Sequence, residues 1–196
     1  MLDVWSRFTH WRSKWWFRPL VATYEAISSA SVDTLWQKVS NLADVSWHPL
    51  IASTNVPKGL IPKPGLIYQA VSRLFPIPIQ IFVERVRPRE LLSVRILAIP
   101  GLEERVTYKV ESTVCGTCVS YSVTLRGWLS PLVWSLIRRH AARVAMELAQ
   151  AAEQELREDV VAARTPKPFS PDLFSALVSA SGLGYSLNSF LNSFNV

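Results

Sequence analysis

The chain has 196 residues, of which 49% are hydrophobic and 18% are charged, and its formal net charge is +6. These values exclude a disordered chain and predict one domain with appended segments rather than two full domains. No uncharged apolar run reaches the roughly 20 residues of a membrane-spanning helix and no secretory signal is recognisable, so we expect a cytoplasmic protein with at most a peripheral membrane contact.

The first segment, residues 1–19, is basic and aromatic and carries half of the net charge. Placed on a helix, its aromatic side chains share one face, made of Trp5, Phe8, Trp11, Trp15 and Trp16. Such a helix is typical of peripheral membrane contact, because Trp rings favour the headgroup boundary. Packing on its own domain or on a partner explains the pattern equally well. Elsewhere Lys and Arg are too sparse for a nucleic-acid groove, so no nucleic-acid partner is expected.

Strand and helix signals alternate over residues 20–50. Beta propensity predicts a first strand at residues 21–28. Ser31 is an N-cap signal before apolar residues at the spacing of a helix buried on one face, namely Val32, Leu35, Trp36, Val39 and Leu42. A second short helix or turn is expected to end at Trp47 and His48, because Pro49 follows them. Two short helices are therefore predicted after the first strand.

Residues 50–126 change to a period of two, which is typical of antiparallel strands with one wet face. Six strands are predicted without an intervening helix, at 51–57, 66–73, 78–87, 91–98, 102–112 and 117–127. In the clearest strand the inward residues are Leu102, Glu104, Val106, Tyr108 and Val110. The next strand turns four residues to the same side, namely Val119, Tyr121, Val123 and Leu125. Together with the first strand, this predicts a curved antiparallel sheet of about seven strands in an α+β domain.

A long helix is predicted after the sheet. Ser130 and Pro131 form an N-cap and first-turn signal, and no Gly or Pro follows before Thr165. The apolar stripe of this helix consists of Val133, Ile137, Ala141, Val144, Leu148 and Ala152. Residues 163–196 are predicted to be a linker and an apolar, Ser-rich tail. We expect this tail to fold over the domain or to contact a partner or a membrane.

The order of these elements resembles the helix-grip fold of the START-related, polyketide cyclase/dehydrase (SRPBCC) superfamily. Short sequence motifs also match those of the superfamily. They are residues 29–36, Trp47-His48-Pro49, Pro64-Gly65, Glu84-Arg85-Val86, Gly116-Thr117 and the closing Ala-rich helix. The resemblance implies a domain over residues 20–162, in which the sheet grips the long helix around an apolar cavity. It also implies that this cavity holds a lipid, a polyketide or another hydrophobic molecule, and some members catalyse cyclisation or dehydration there. The fold alone does not choose among these functions.

Three candidate ligand-binding residues share the inward face of the last two strands. Glu104 lies on an otherwise apolar face, where an unpaired carboxylate is costly. It is therefore a polar anchor or acid–base group in the cavity, or else a residue at the solvent rim or in an inward salt bridge. Tyr108 and Tyr121 can donate hydrogen bonds to a ligand, although core packing explains either residue taken alone.

Three further candidates flank the expected cavity. Trp47 and His48 are expected near its mouth, where they contact a ligand or stabilise the turn before Pro49. His140 flanks the apolar stripe of the long helix, so it reaches the cavity edge or is a satisfied core histidine.

Neither a metal site nor a cofactor is predicted. Cys115 and Cys118 are too few for a disulfide scaffold or a four-thiolate zinc site, and they bracket a Gly-Thr pair that is expected to form a hairpin turn. Two reduced surface thiols are expected there in preference to the alternative, a small strained disulfide across the turn. The sequence also contains none of the phosphate-loop, dinucleotide, nucleophilic-serine or zinc-protease motifs.

The leading hypothesis is a non-catalytic protein that binds or carries a hydrophobic small molecule or lipid, with a peripheral membrane contact through residues 1–19. An alternative is a cyclase or dehydratase whose polar groups are Glu104, Tyr108, Tyr121 and His48. Another is an assembly or co-chaperone module that docks through its tails. An open cavity favours binding, convergent carboxylate, Tyr and His groups inside it favour catalysis, and a filled cavity favours the assembly module.

Overall fold

A curved antiparallel sheet and one long helix account for most of the residues that the structure, a computed structural model, describes, which are 18–98 and 100–164. These residues form the strands β1 (Leu20–Ser28), β2 (Ile51–Thr54), β3 (Ile67–Ser72), β4 (Pro78–Arg87), β5 (Leu91–Leu97), β6 (Leu102–Thr113) and β7 (Gly116–Gly127), and the helices α1 (Val32–Ser40) and α2 (Ser130–Arg164). The seven strands lie in the order β1-β7-β6-β5-β4-β3-β2, and every neighbouring pair is antiparallel. The predicted helix-grip architecture is confirmed.

The hairpin of β6 and β7 shows most directly why this sequence forms a sheet. Buried and more accessible residues alternate along both strands, as the period of two predicts. Thr113 pairs with Gly116, so the turn consists of Val114 and Cys115 rather than the predicted Gly-Thr pair. Gly116 is required for another reason: at its φ of +132°, a Cβ atom would lie 2.7 Å from the Ser28 carbonyl oxygen of β1.

The connection between β1 and β2 contains one helix instead of the predicted two. Ser31 caps α1 as expected, because its hydroxyl accepts a hydrogen bond from the Thr34 amide at 3.1 Å. Where the second short helix was predicted, the structure has two turns, at residues 42–43 and 46–47. The Asp44 carboxylate accepts hydrogen bonds from the amide and hydroxyl of Ser46 at 3.2 and 2.7 Å, which favours a turn over a helix.

Helix α2 packs closely on the sheet along part of its length. Its buried face there combines small and larger apolar residues, all at most 5% exposed, namely Ala141, Val144, Ala145, Leu148, Ala149 and Ala152. Nearer the start of α2, larger side chains line a cavity instead, as described below. The sheet and the helix therefore enclose space on one side of this contact.

One carboxylate ties α2 to the end of β1. An oxygen of Glu153 accepts hydrogen bonds from the Ser29 amide at 2.8 Å, the Ser29 hydroxyl at 3.0 Å and the Ser28 hydroxyl at 3.2 Å. These hydrogen bonds, above all that from the Ser29 amide, hold the pKa of Glu153 below its ordinary value. The contact fixes where α2 crosses the sheet.

The two terminal segments lie largely outside the described residues. This applies to the predicted membrane-contact residues, Trp5, Phe8, Trp11, Trp15 and Trp16, and to the tail from residue 165 onward. Among residues 18–98 and 100–164, neither helix combines the length and the apolar character that crossing a membrane requires.

Candidate ligand-binding cavity

A cavity of about 450 Å³ lies between the first turns of α2 and the concave face of the sheet. Its size falls within the range of small-molecule sites, roughly 300 to 1,000 Å³. Most of its wall is aliphatic, and the helix contributes Leu132, Val133, Leu136 and Ile137. Strands β4 and β5 contribute further branched side chains, namely Ile79, Ile81, Leu92, Val94 and Ile96. An apolar wall of this kind favours an apolar guest.

Three tyrosines place hydroxyl-bearing rings in this wall. Tyr108 of β6 and Tyr121 of β7 are direct partners in the strand register, and their ring centroids lie 5.2 Å apart. Tyr68 of β3 lines the same cavity. Burial raises the pKa of each of these phenols, and the neighbouring Tyr68 and Glu104 reinforce this for Tyr108. All three hydroxyls therefore remain protonated at neutral pH.

His48 holds Tyr108 in a defined hydrogen-bonding role. The Leu50 amide donates to Nδ1 of His48 at 3.1 Å, so this nitrogen carries no proton. Burial, reinforced by the positive charge of Arg73, lowers the pKa of His48 to about 3, so the ring is neutral and its proton lies on Nε2. Nε2 then donates to the Tyr108 hydroxyl oxygen at 3.0 Å. The Tyr108 proton is left free to be donated to another group.

Glu104 is the unusual polar group of the cavity wall. Its side chain is half-buried and lines the cavity among mainly apolar residues. Desolvation raises its pKa from an ordinary value of 4.5 to about 7. Among the described residues, none forms a hydrogen bond or an ion pair with this carboxylate. It is therefore poised between its neutral and charged forms near neutral pH.

The charged side chains that line the cavity are all acidic. They are Asp44 and Glu104, and neither Lys nor Arg is among the lining residues that the structure describes. Asp44 lies 2.8 Å from the Lys38 ammonium, and this hydrogen bond lowers the pKa of Asp44. Since Asp44 is paired, Glu104 dominates the charge that a guest experiences.

The mouth of the cavity is apolar and exposed. We call Phe75, Ile77, Leu132 and Leu136 the rim, because they line the cavity and also face solvent. Phe75, Ile77 and Leu132 expose 51%, 59% and 60% of their surfaces. Large apolar side chains clustered at an opening are typical of a contact surface.

Five of the six predicted ligand-contact residues come together in this cavity: Trp47, His48, Glu104, Tyr108 and Tyr121. The Trp47 ring packs edge-on against Tyr108, with centroids 6.3 Å apart. His140 is not among the lining residues. The side of α2 that faces the cavity carries Val133 and Ile137 instead, and Nδ1 of His140 is buried without a partner among the described residues.

Sequence reasoning missed Tyr68 and the rim. Tyr68 and Ala70 are two residues apart in β3 and both side chains are buried, so the alternation of this strand could have identified Tyr68. Phe75 and Ile77 had no such signal, because they belong to the Pro-containing connection between β3 and β4, whereas Leu132 and Leu136 lie next to the predicted stripe residues Val133 and Ile137.

The described residues offer no obvious place for a metal. Within residues 18–98 and 100–164, no cluster of three or more His, Cys, Asp or Glu side chains has an arrangement that could hold an ion. Cys115 and Cys118 are free thiols near the tip of the hairpin between β6 and β7.

Solved structures with the same fold match more than two thirds of the chain. An aromatase/cyclase from Streptomyces is 10% identical with a TM-score of 0.58, and the match covers 71% of this chain and 96% of that chain. The crystal structure of Ara h 8.0201 is 13% identical with a TM-score of 0.55, and the match covers 70% of this chain and 99% of that chain. A truncated norcoclaurine synthase from Thalictrum flavum is 16% identical with a TM-score of 0.51, covering 69% and 94%. No protein-family model and no curated protein sequence matches. The likenesses show the helix-grip fold.

The raised pKa of Glu104 predicts the direction in which the stability of the folded protein changes with pH. The folded state binds its proton more tightly than the unfolded chain, so stability declines as pH rises from about 4.5 to about 7. His48 acts in the opposite direction, because its lowered pKa removes stability as pH falls from 6.5 toward 3. We expect Glu104→Gln to remove only the Glu104 contribution, which makes the variant more stable than the wild type by up to about 3 kcal/mol at pH about 8.

Urea unfolding of both proteins between pH about 5 and about 8 measures this difference. Glu103→Gln is the control for loss of a carboxylate from the other side of β6, where Glu103 lies 3.5 and 3.6 Å from Arg95 and Arg105. This variant loses surface ion pairs, so it is expected to be no more stable than the wild type. Parallel stability curves for the wild type and Glu104→Gln would show that the Glu104 carboxyl is not desolvated.

Proposed function

We propose that this protein binds an apolar small molecule or lipid in the cavity between α2 and the sheet. The observation that carries the proposal is a cavity of about 450 Å³ with an aliphatic wall and a few polar groups, which the side chains of the described residues leave unfilled. A filled cavity would have favoured an assembly module. The fold shared with the aromatase/cyclase and the norcoclaurine synthase supports the proposal, since such a cavity is the expected ligand site of a helix-grip domain.

The energy of burial is sufficient for useful affinity. Each buried methylene contributes about 0.8 kcal/mol, so an alkyl chain or fused ring gains several kcal/mol before the costs of association and ordering are subtracted. A micromolar dissociation constant corresponds to about 8 kcal/mol, which a guest of this size can reach.

The apolar rim supports ligand exchange at a membrane surface. Its position at the mouth means that a membrane contact would place the opening of the cavity beside the acyl chains, where an apolar guest is soluble. The predicted aromatic face of residues 1–19 would add a second contact of the same kind.

Native mass spectrometry of protein purified from its own cells tests the binding function. We expect one bound apolar molecule per chain, which solvent extraction releases and identifies. Val106→Phe replaces a small side chain of the cavity wall with a large ring. Because the ring occupies space that the guest needs, we expect this variant to lose the bound molecule or to bind it about tenfold or more weakly.

The matched control is Lys109→Phe, which places the same ring on the outward face of the same strand. Melting curves establish that both variants are folded. Wild-type protein that is always empty, and that binds nothing from lipid extracts, would refute ligand binding.

Flotation with vesicles of phosphatidylcholine and phosphatidylglycerol tests the membrane contact. We expect Phe75→Asp and Leu132→Asp to reduce vesicle binding about threefold or more, because each places a charge where an apolar side chain meets the acyl region. Met146→Asp is the control, since Met146 is an exposed apolar residue of α2 that does not line the cavity. Equal binding by all variants would remove the rim from the proposal.

A second candidate function is acid–base catalysis on the bound guest. It is favoured by the pKa of Glu104, which is raised to about 7, and by its place in one cavity with the Tyr108 and Tyr121 hydroxyls. For a guest ketone, the Glu104 carboxylate would take a proton from the carbon next to the carbonyl. The electron pair of the broken C–H bond would form a carbon–carbon double bond as the carbonyl π pair moves to the oxygen, and the hydroxyls would stabilise the resulting enolate.

Proton exchange in a model ketone tests this chemistry without knowledge of the substrate. We expect the wild type to accelerate the exchange of the acidic ring protons of beta-tetralone into heavy water, as followed by NMR. Glu104→Gln should lower this rate at least about tenfold, while Glu103→Gln should leave it unchanged. Equal rates for the wild type and Glu104→Gln would eliminate Glu104 as the base.

A further inference from the structure

We propose that the cavity selects a neutral guest that carries a hydroxyl or carbonyl oxygen, and that it discriminates against carboxylates such as fatty acid anions. This inference rests on the proposed binding function and specifies the chemical class of its ligand. It depends on the charges and the hydrogen-bond donors of the cavity wall.

The charge of the cavity is opposite to that of the whole chain. The formal net charge is +6, yet the charged groups on the described cavity wall are Asp44 and Glu104. An anionic head group buried here would find no cation among the described lining residues. It would also lie in the same low-dielectric space as Glu104, where like charges strongly disfavour each other.

The hydrogen-bond donors of the cavity are arranged for an acceptor oxygen. Because His48 donates to the Tyr108 hydroxyl oxygen, the Tyr108 proton is available to a guest. No described residue accepts a hydrogen bond from Tyr121, which lies beside it across the strand pair. An uncharged guest oxygen can accept from these hydroxyls, and a guest hydroxyl can also donate to Glu104.

An amine is a poorer match for the same groups. One lone pair of the Tyr108 oxygen is already used by His48, and an ammonium cannot accept the Tyr108 proton. Its charge would also have to leave water for a mainly aliphatic wall, with Glu104 as its ionic partner. The tyrosine donors therefore favour a neutral oxygen over a cation.

The pH dependence of binding follows from the titratable groups around the cavity. Besides Glu104 these are Asp44 and His48 from the loop after α1, Tyr68 from β3, Tyr108 from β6 and Tyr121 from β7, whereas the lining residues of β4, β5 and α2 are apolar. Asp44 is paired with Lys38, His48 is neutral, and the phenols stay protonated. Arg73, whose positive charge acts on His48, is not a lining residue and donates to the Ser46 and Ile51 carbonyl oxygens. Near neutrality, Glu104 is therefore the group whose charge changes.

Three guests of equal chain length, decanol, decanoic acid and decylamine, test the selectivity by isothermal titration calorimetry. We expect decanol to bind at least about tenfold more tightly than decanoate at pH about 8. A bound decanoate requires Glu104 to take up a proton, so its dissociation constant should rise about tenfold for each pH unit above about 7. The affinity of decanol should change much less with pH.

Variants separate the roles of the charge and of the donors. Glu104→Gln should abolish the pH dependence of decanoate binding and reduce its disadvantage relative to decanol, whereas Glu103→Gln should preserve both. Tyr121→Phe should weaken decanol about two- to tenfold, the effect of losing one hydrogen bond. These readouts compare guests within one folded protein, so a change in stability cannot mimic them.

Each contrary outcome has a distinct meaning. Decanoate that binds as tightly as decanol at high pH, or a decanol preference that survives unchanged in Glu104→Gln, would overturn the proposed selectivity and leave apolar ligand binding intact. Decylamine that binds more tightly than decanol would replace the neutral guest with a cationic one. Failure of all three guests to bind would overturn the selectivity together with the binding function.

Discussion

The separation between α2 and the sheet depends on the size of the side chains between them. From Ala141 to Ala152 the buried face of α2 is rich in alanine and belongs to the same hydrophobic core as the strands. The hydrogen bonds from Ser28 and Ser29 to Glu153 hold this contact in place. Nearer the start of α2, the inward side chains line open space instead of meeting the sheet. The cavity thus lies beyond the fully buried part of α2, near the start of the helix.

The turns before β2 complete the polar part of the cavity. Because Asp44 caps its own turn through Ser46, the chain does not continue as a helix, and the backbone returns toward the sheet at His48. The His48 ring is then fixed between the Leu50 amide and the Tyr108 hydroxyl. A feature that looks like an irregular connection therefore determines which atom of Tyr108 is offered to a guest.

The sequence was a good guide where periodicity decides the structure and a poor one where the path of a loop decides it. Alternation in β6 and β7 placed Glu104, Tyr108 and Tyr121 on one inward face, which the structure confirms. The hydrogen bond between His48 and Tyr108 spans 60 residues and depends on local turn geometry, so no pattern could predict it. His140 does not line the cavity, because the faces of α2 that meet the sheet, the cavity and solvent depend on how the helix crosses the sheet, which its own periodicity does not define.

Glu104 imposes a cost that the described part of the protein does not offset. A carboxylate held among apolar side chains without a partner destabilises the folded state once it ionises, and an apolar residue at this position would avoid that penalty. The nearby Arg95 and Arg105 do not relieve it, because they belong to the opposite face of the sheet and pair with Glu84. A guest that donates a hydrogen bond to Glu104 would recover part of the cost on binding. Ligand binding would then be favoured by the recovered free energy, and only guests that can donate to Glu104 would gain it. A residue that destabilises the ligand-free protein can in this way increase the affinity and the selectivity of the site.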